Sequence, residues 1–200
     1  MKRLLFYYAL KKYAFICMAL LFSVIPVQGR DFNGEKGVYA EMGAGFDNTG
    51  VAGTFGYISP KVGFKLNRLL SFGVTSRFDF GKSYESGSYN SYGGFVELST
   101  GSFHGLSGFV DVMATHNRHC NNRGVFGCDD FTEIGLTPGI RYSLPWYGLS
   151  LSVRYAFIGF SDNWELLSKH DRAGFYSDGK LLVDGRFRRL EFAVRYTFGL

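Results

Sequence analysis

The sequence predicts an all-β chain: an eight-stranded antiparallel up-and-down transmembrane β-barrel behind a leader that is removed. Three observations predict it. The first 29 residues combine positive charge with an apolar run and hold no acid. From Gly37 onward, segments of about ten residues alternate apolar and polar side chains, the period of a strand. The connections between those segments alternate between short and long.

Lys2, Arg3, Lys11 and Lys12 precede or flank an apolar stretch from Tyr13 to Val27, and Val27-Gln28-Gly29 places small residues where a signal peptidase cuts. A helix that spans a bilayer needs about 20 apolar residues, more than this stretch provides. Residues 1–29 are therefore expected to be a cleaved signal peptide and 30–200 the barrel domain. Cys17 lies within the apolar run without the small residues of a lipoprotein signal. The leader takes four of the 22 basic residues and none of the 17 acidic ones, so 18 stand against 17 in the remainder. The basic balance belongs to targeting, and nucleic acid is not an expected partner. The rest of the chain has no second long apolar run. In lipid only helices and closed barrels satisfy their backbone groups, so a membrane location requires a barrel.

The first predicted strand sets Val38, Ala40, Met42, Ala44 and Phe46 against Tyr39, Glu41, Gly43 and Gly45. The second sets Pro60, Val62, Phe64 and Leu66 against Lys61, Gly63 and Lys65, and the third Leu70, Phe72, Val74, Phe78 and Phe80 against Ser71, Gly73, Thr75, Arg77 and Asp79. In the fourth, Val96 and Leu98 alternate with Phe95, Glu97 and Ser99. In the fifth, Leu106, Val110, Val112 and Ala114 alternate with Ser107, Phe109, Asp111 and Met113. The sixth opposes Ile134, Leu136, Ile140, Tyr142 and Leu144 to Glu133, Gly135, Thr137, Gly139, Arg141 and Ser143. The seventh opposes Leu149, Leu151, Val153, Tyr155 and Phe157 to Ser150, Ser152, Arg154 and Ala156. The eighth opposes Leu190, Phe192, Val194, Tyr196, Phe198 and Leu200 to Arg189, Glu191, Ala193, Arg195 and Thr197. Turns at Asn67-Arg68, Gly101–Gly105 and Pro145–Gly148 are tight; Asp47–Thr54, Gly81–Ser91, Thr115–Asp130 and Ser161–Asp184 read as long loops. Short turns on one side and long loops on the other suit a bacterial outer membrane, with both chain ends on the periplasmic side.

Alternation alone does not say which face is outside, since a soluble lipid-carrying barrel would turn its apolar face inward. The small residues of the polar face suit the narrow interior of an eight-stranded barrel. Its charges also nearly balance: Lys61, Lys65, Arg77, Arg141, Arg154, Arg189 and Arg195 against Glu41, Asp79, Glu97, Asp111, Glu133 and Glu191. Charges taken from water need partners, so an interior charge network is expected. Aromatics gather near the ends of the apolar face, with Phe46, Phe78 and Phe80 on the loop side. Phe72, Tyr142, Tyr196 and Phe198 lie on the turn side, beside Trp146 and Tyr147, as interfacial girdles do.

With that face assignment the chain resembles the small outer-membrane barrel proteins, the OmpA-barrel and OmpX-like, porin-like group, over its whole length beyond the leader. The end, Phe192 to Leu200, looks like the C-terminal assembly signal of that group in Tyr196, Phe198 and Leu200, although Gly199-Leu200 follows the aromatic that commonly closes it. The resemblance implies a Gram-negative envelope, outer-membrane lipid including lipopolysaccharide as surroundings, the barrel assembly machinery as a partner, and a structural, adhesive or protective role. The expected function is thus non-enzymatic, with a plugged interior and surface loops. The alternatives are a narrow porin or small-solute channel, a lipid A-modifying enzyme, and a soluble periplasmic lipid-binding barrel.

Cys120 and Cys128 share one long loop of a protein passing through an oxidising compartment, and a disulfide between them is expected. His116, His119, Asp129 and Asp130 flank the pair but match no compact zinc spacing, so neither metal nor cofactor is expected. Ser168, His170 and Asp171 are too close in sequence for a catalytic triad, whose members are brought together by the fold. Near the rim no His-x-Ser-Asn arrangement of the lipid A deacylase kind accompanies His116. Trp164, Leu166, Leu167, Lys169, Arg172, Phe175 and Tyr176 suit either packing over the barrel mouth or a surface partner. Gly43-x-Gly45 has no following helix and is no nucleotide loop.

Overall fold

Backbone hydrogen bonds decide the architecture: among the described residues every strand but the short one at Phe175–Asp178 finds an antiparallel partner on both sides. The computed structural model describes residues 36–48, 54–80, 88–120, 128–145, 148–162, 175–178 and 181–199. The leader, Trp146, Tyr147, Trp164, Leu166, Leu167, Ser168, Lys169, His170, Asp171, Arg172 and Leu200 lie outside them, as do the side chains of Phe80, His119, Cys120, Cys128, Asp129, Phe175 and Tyr176.

The strands are β1 (Gly37–Asn48), β2 (Thr54–Lys65), β3 (Leu70–Phe80) and β4 (Ser88–Ser99). Then come β5 (Leu106–Cys120), β6 (Cys128–Ser143), β7 (Leu149–Arg154) and β8 (Phe157–Ser161). The chain ends with β9 (Phe175–Asp178), β10 (Leu181–Asp184), a 3-10 turn at Phe187–Arg189, and β11 (Glu191–Gly199). Strands β1 to β6 pair in sequence, and β1 pairs with β11 from Gly37↔Gly199 to Gly45↔Glu191, which closes the ring. β6 pairs with β7 at one end and β8 at the other, and those two face β11 and β10. β7 with β8, and β10 with β11, are therefore single wall strands broken in the middle. The barrel is closed, antiparallel and eight-stranded, with β9 paired to β10.

The first break follows from Pro138, which has no N–H to give the ladder. Gly139 pairs with Arg154 and Leu136 with Ile158, so two residues of β6 face three of the other strand, a β-bulge. Tyr155 N–H donates to the Pro138 carbonyl at 3.1 Å, and Ala156 takes φ 67°, in the left-handed region. The extra residue inverts the inside–outside order beyond it. Phe157, expected on the outer face, points inward and is only 3% exposed, whereas Tyr155 keeps its outward position. Opposite the bulge, 185–190 separate β10 from β11, and the Tyr155 hydroxyl donates to the Gly185 carbonyl.

Two loop expectations also need correction. Ser161–Asp184 is not all loop, because β9 and β10 lie within it; Leu181 and Val183 face out while Leu182 and Asp184 are buried. The Thr115–Asp130 loop is mostly ladder, since β5 and β6 run on to Cys120↔Cys128, and β4 similarly starts at Ser88. The polar residues there line a hairpin that sequence alternation does not mark. The tight turns are tight for local reasons. His104 and Gly105 take φ 51° and 84° between Phe103 and Leu106, the positive pair a two-residue hairpin turn requires. Asn67 Oδ1 accepts the N–H groups of Leu69 and Leu70, each at 2.8 Å.

The outer wall is apolar around the barrel: Val62, Val74, Ile134, Ile140, Phe160 and Phe192 are all more than half exposed. Such a surface is far from what a soluble monomer presents to water.

Candidate functional site

The barrel interior holds the buried charge, and its floor plan starts with glycine. Tyr39↔Gly63, Tyr57↔Gly45 and Phe109↔Gly139 are register partners, and each ring lies over the space where that glycine's Cβ would stand. Phe157 covers Gly135 in the same way. The inner face of each ring meets a guanidinium: Arg195 lies 3.7 Å from the Tyr39 centroid, Arg77 3.7 Å from Tyr57, Arg141 4.4 Å from Phe109 and Arg189 4.7 Å from Phe157. Lys61 sits 4.0 Å over Phe95. Glycine, ring and cation form a stack from wall to centre, which shields the backbone and holds the charged heads in place.

Those heads meet carboxylates. Arg141 donates to both oxygens of Glu97 at 2.9 and 2.7 Å, and Arg195 also grips Glu97 through two nitrogens. Arg195 Nε donates to Glu41 at 2.6 Å. Arg154 joins Glu41 at 2.5 Å, Asp111 at 2.7 Å and Glu191 at 3.1 Å. Lys61 donates to Asp111 at 2.5 Å, and Ser59 to Glu191 at 2.6 Å. Glu41, Glu97, Asp111 and Glu191 thus link four cations, Lys61, Arg141, Arg154 and Arg195, in one layer of matched charge. Glu97 and Asp111 have no solvent exposure. Such a layer is stable only because nearly every lone pair and proton has a partner.

Toward the loop side a second group forms. Arg189 pairs with Glu133 at 3.1 Å and Asp184 at 2.9 Å, and Arg186 pairs with Asp184 at 2.7 Å. Arg77 pairs with Asp79 at 3.0 Å. Asp184 and Arg186 are absent from the charges singled out in the sequence, since Asp184 ends the stretch read as loop and Arg186 falls between it and the eighth predicted strand; the β-prone apolar run Leu181-Leu182-Val183 is the signal that could have found Asp184. Lys65 lines the turn side, and no carboxylate among the described residues lies within ion-pairing distance of it.

Two cavities flank the central layer. One of about 100 Å³ lies on the loop side and touches Lys61, Arg154 and Glu191; one of about 790 Å³ lies on the turn side and touches Glu97, Arg141 and Arg195. No residue lines both. At the loop end, Cys120 and Cys128 are register partners. Tyr196 and Phe198 stack edge to face on the outside of β11, with ring centroids 4.8 Å apart.

Neither a family model nor a curated protein matches the chain. Among solved structures it is similar to the crystal structure of the N-terminal β-barrel domain of Pseudomonas aeruginosa OprF. The TM-score is 0.55 at 12% sequence identity, covering 86% of this chain and all of that one. The likeness is one of fold.

Proposed function

We propose that this chain is a non-enzymatic outer-membrane barrel protein of a Gram-negative envelope, plugged by its own side chains. It acts in a structural or surface-interaction role through the connections on its long-loop side. The observation that carries this reading is the matched layer of Lys61, Arg141, Arg154 and Arg195 with Glu41, Glu97, Asp111 and Glu191 between two cavities that share no lining residue. An eight-stranded barrel has room for side chains and no wide channel. The apolar outer wall supports lipid as its surroundings, since a closed barrel is one of two solutions available to a chain there. In this reading residues 1–29 are cleaved on export, lipopolysaccharide borders the outer half, and Tyr196, Phe198 and Leu200 address the chain to the barrel assembly machinery.

Planar-bilayer recording tests the plug. The expected result is no sustained current from the intact protein; steady openings would instead support the second reading, a narrow solute channel, which the turn-side cavity favours. Outer-membrane fractionation with gel mobility before and after boiling tests the location. A heat-dependent shift in the outer-membrane fraction is expected, and an unshifted soluble band would overturn it.

A further inference from the structure

The turn-side hairpin between β4 and β5 uses an extra residue to point an aromatic ring outward. Thr100 N–H donates to the Gly108 carbonyl at 2.8 Å, and Phe103 and Leu106 exchange both backbone hydrogen bonds, at 2.8 and 2.9 Å. Gly101 and Ser102 therefore face Ser107 alone, two residues against one, which is a β-bulge. The inward residues of β4 are odd-numbered, Phe95, Glu97 and Ser99, and unbroken alternation would send Phe103 inside with them. The bulge reverses that order. Directly opposed residues of a ladder share a face, so Phe103 joins Leu106 on the outer wall.

There the ring is left bare. Phe103 is 75% exposed, more than any other large apolar residue described, and packs edge to face on His104 at 4.2 Å. Leu98 and Leu106, each 51% exposed, carry the apolar wall up to it. Residues 99–108 hold no Asp, Glu, Lys or Arg, so this tip can leave water without desolvating a formal charge.

The wall is also short of apolar height at this point. The outward residues of β5 are Leu106, Gly108, Val110, Val112 and Ala114, and His116 follows. From Leu106 to Ala114, at about 3.4 Å per residue and a tilt near 40°, the rise is roughly 21 Å, under the band of about 25 Å that such barrels carry. On β4 the outward run is shorter still, with Gly94, Val96 and Leu98 between Tyr92 and Thr100.

We propose that Phe103 docks the β4–β5 hairpin into the periplasmic leaflet of the bilayer, extending the apolar band where the wall is short. The inference rests on the membrane reading above. The ring takes the depth just below the lipid headgroups, where membrane proteins place their rim aromatics. Such an anchor sets the depth and tilt of this side of the barrel.

The test uses protein shown to be folded by its heat-dependent gel shift, in vesicles of phosphatidylethanolamine and phosphatidylglycerol brominated at known acyl depths. Trp146→Phe and Trp164→Phe remove the two native tryptophans, and Phe103→Trp then supplies a single emitter. Val74→Trp, at a wall position 64% exposed, is the reference for lipid contact. Emission from Phe103→Trp should be blue-shifted, lose most of its intensity to shallow bromines and resist aqueous acrylamide. Long-wavelength emission that acrylamide quenches freely would overturn the proposal and leave the tip to a protein partner. Bromine quenching of Val74→Trp alone would sink the docking while the membrane reading stands; quenching of neither would remove both. If Phe103→Trp does not fold, Phe103→Cys with a nitroxide label replaces it, in a chain carrying Cys120→Ser and Cys128→Ser. Oxygen should then relax the label more than a water-soluble nickel complex does, and the reverse order would overturn the proposal.

Discussion

Tyr39 and Gly63 face each other across β1 and β2, and the Tyr39 ring fills the place where a side chain on Gly63 would begin, its phenol oxygen 2.6 Å from that position. On the other side of the same ring lies Arg195. A glycine in the wall is thus the reason that an arginine can be held at the centre.

Gly63→Val should therefore push Tyr39 off the wall and disturb Arg195. The expected cost is about 1–3 kcal/mol, the usual range for overpacking. Gly56→Ala is the comparison, because nothing stands within 4 Å of its added carbon, and it should change stability by no more than about 0.5 kcal/mol. Urea unfolding midpoints in lipid vesicles, scored by gel mobility, measure both.

Glu97→Gln leaves Arg141 and Arg195 without their shared carboxylate in the middle of the barrel. Removing one partner of a buried pair costs about 3–5 kcal/mol. Arg118→Gln breaks only the pair with Asp130, whose side chains are 60% and 51% exposed and 3.7 Å apart, and should cost less than about 1 kcal/mol. The same unfolding assay compares them, and equal losses would contradict a stabilising role for the central layer.

Cys120 and Cys128 occupy opposed positions on antiparallel strands. Opposed Cα atoms in such a ladder stand about 4.5–5.5 Å apart, within the range a disulfide spans. Mass spectrometry after alkylation should find both thiols protected until a reductant is added. Cys120→Ser should lower stability by about 2–3 kcal/mol on loop-closure grounds. Free alkylation of the native protein would rule the bridge out.

Ala156 holds a left-handed conformation at φ 67°. Ala156→Gly should relieve it and stabilise by about 0.5–1 kcal/mol, whereas Ala156→Val should lose about 1–2 kcal/mol or more. Thermal or urea midpoints decide, and the reverse order would mean that the bulge is not where strain resides.

Much of the fold was legible because a strand in a barrel wall has two unlike neighbours. Leu190 to Phe198 must put Phe192 and Val194 on one side and Arg195 on the other, whatever the rest of the chain does, and period-two alternation records that directly. The tight turns were legible for the same local reason, in Asn67 and in His104-Gly105. The face bearing Glu41, Glu97, Asp111, Arg141, Arg154 and Arg195 could be read residue by residue. Partners could not: Arg195 reaches Glu97 across 98 positions of sequence and Glu41 across 154.

By itself, then, the sequence determined the strand count, the alternation of faces and the short turns, since these depend on neighbours along the chain. The tertiary structure decided the rest. It set the bulge at Tyr155–Ala156 that turns Phe157 inward, because Pro138 sits on a different strand and only the register brings its missing N–H opposite that point. It also recovered β9 and β10 from an apparent loop, paired Lys61, Arg141, Arg154 and Arg195 with their carboxylates, and left a large cavity on the turn side of that layer. Cross-strand registry, set by closure of the ring, carries all of these, and no local pattern encodes it.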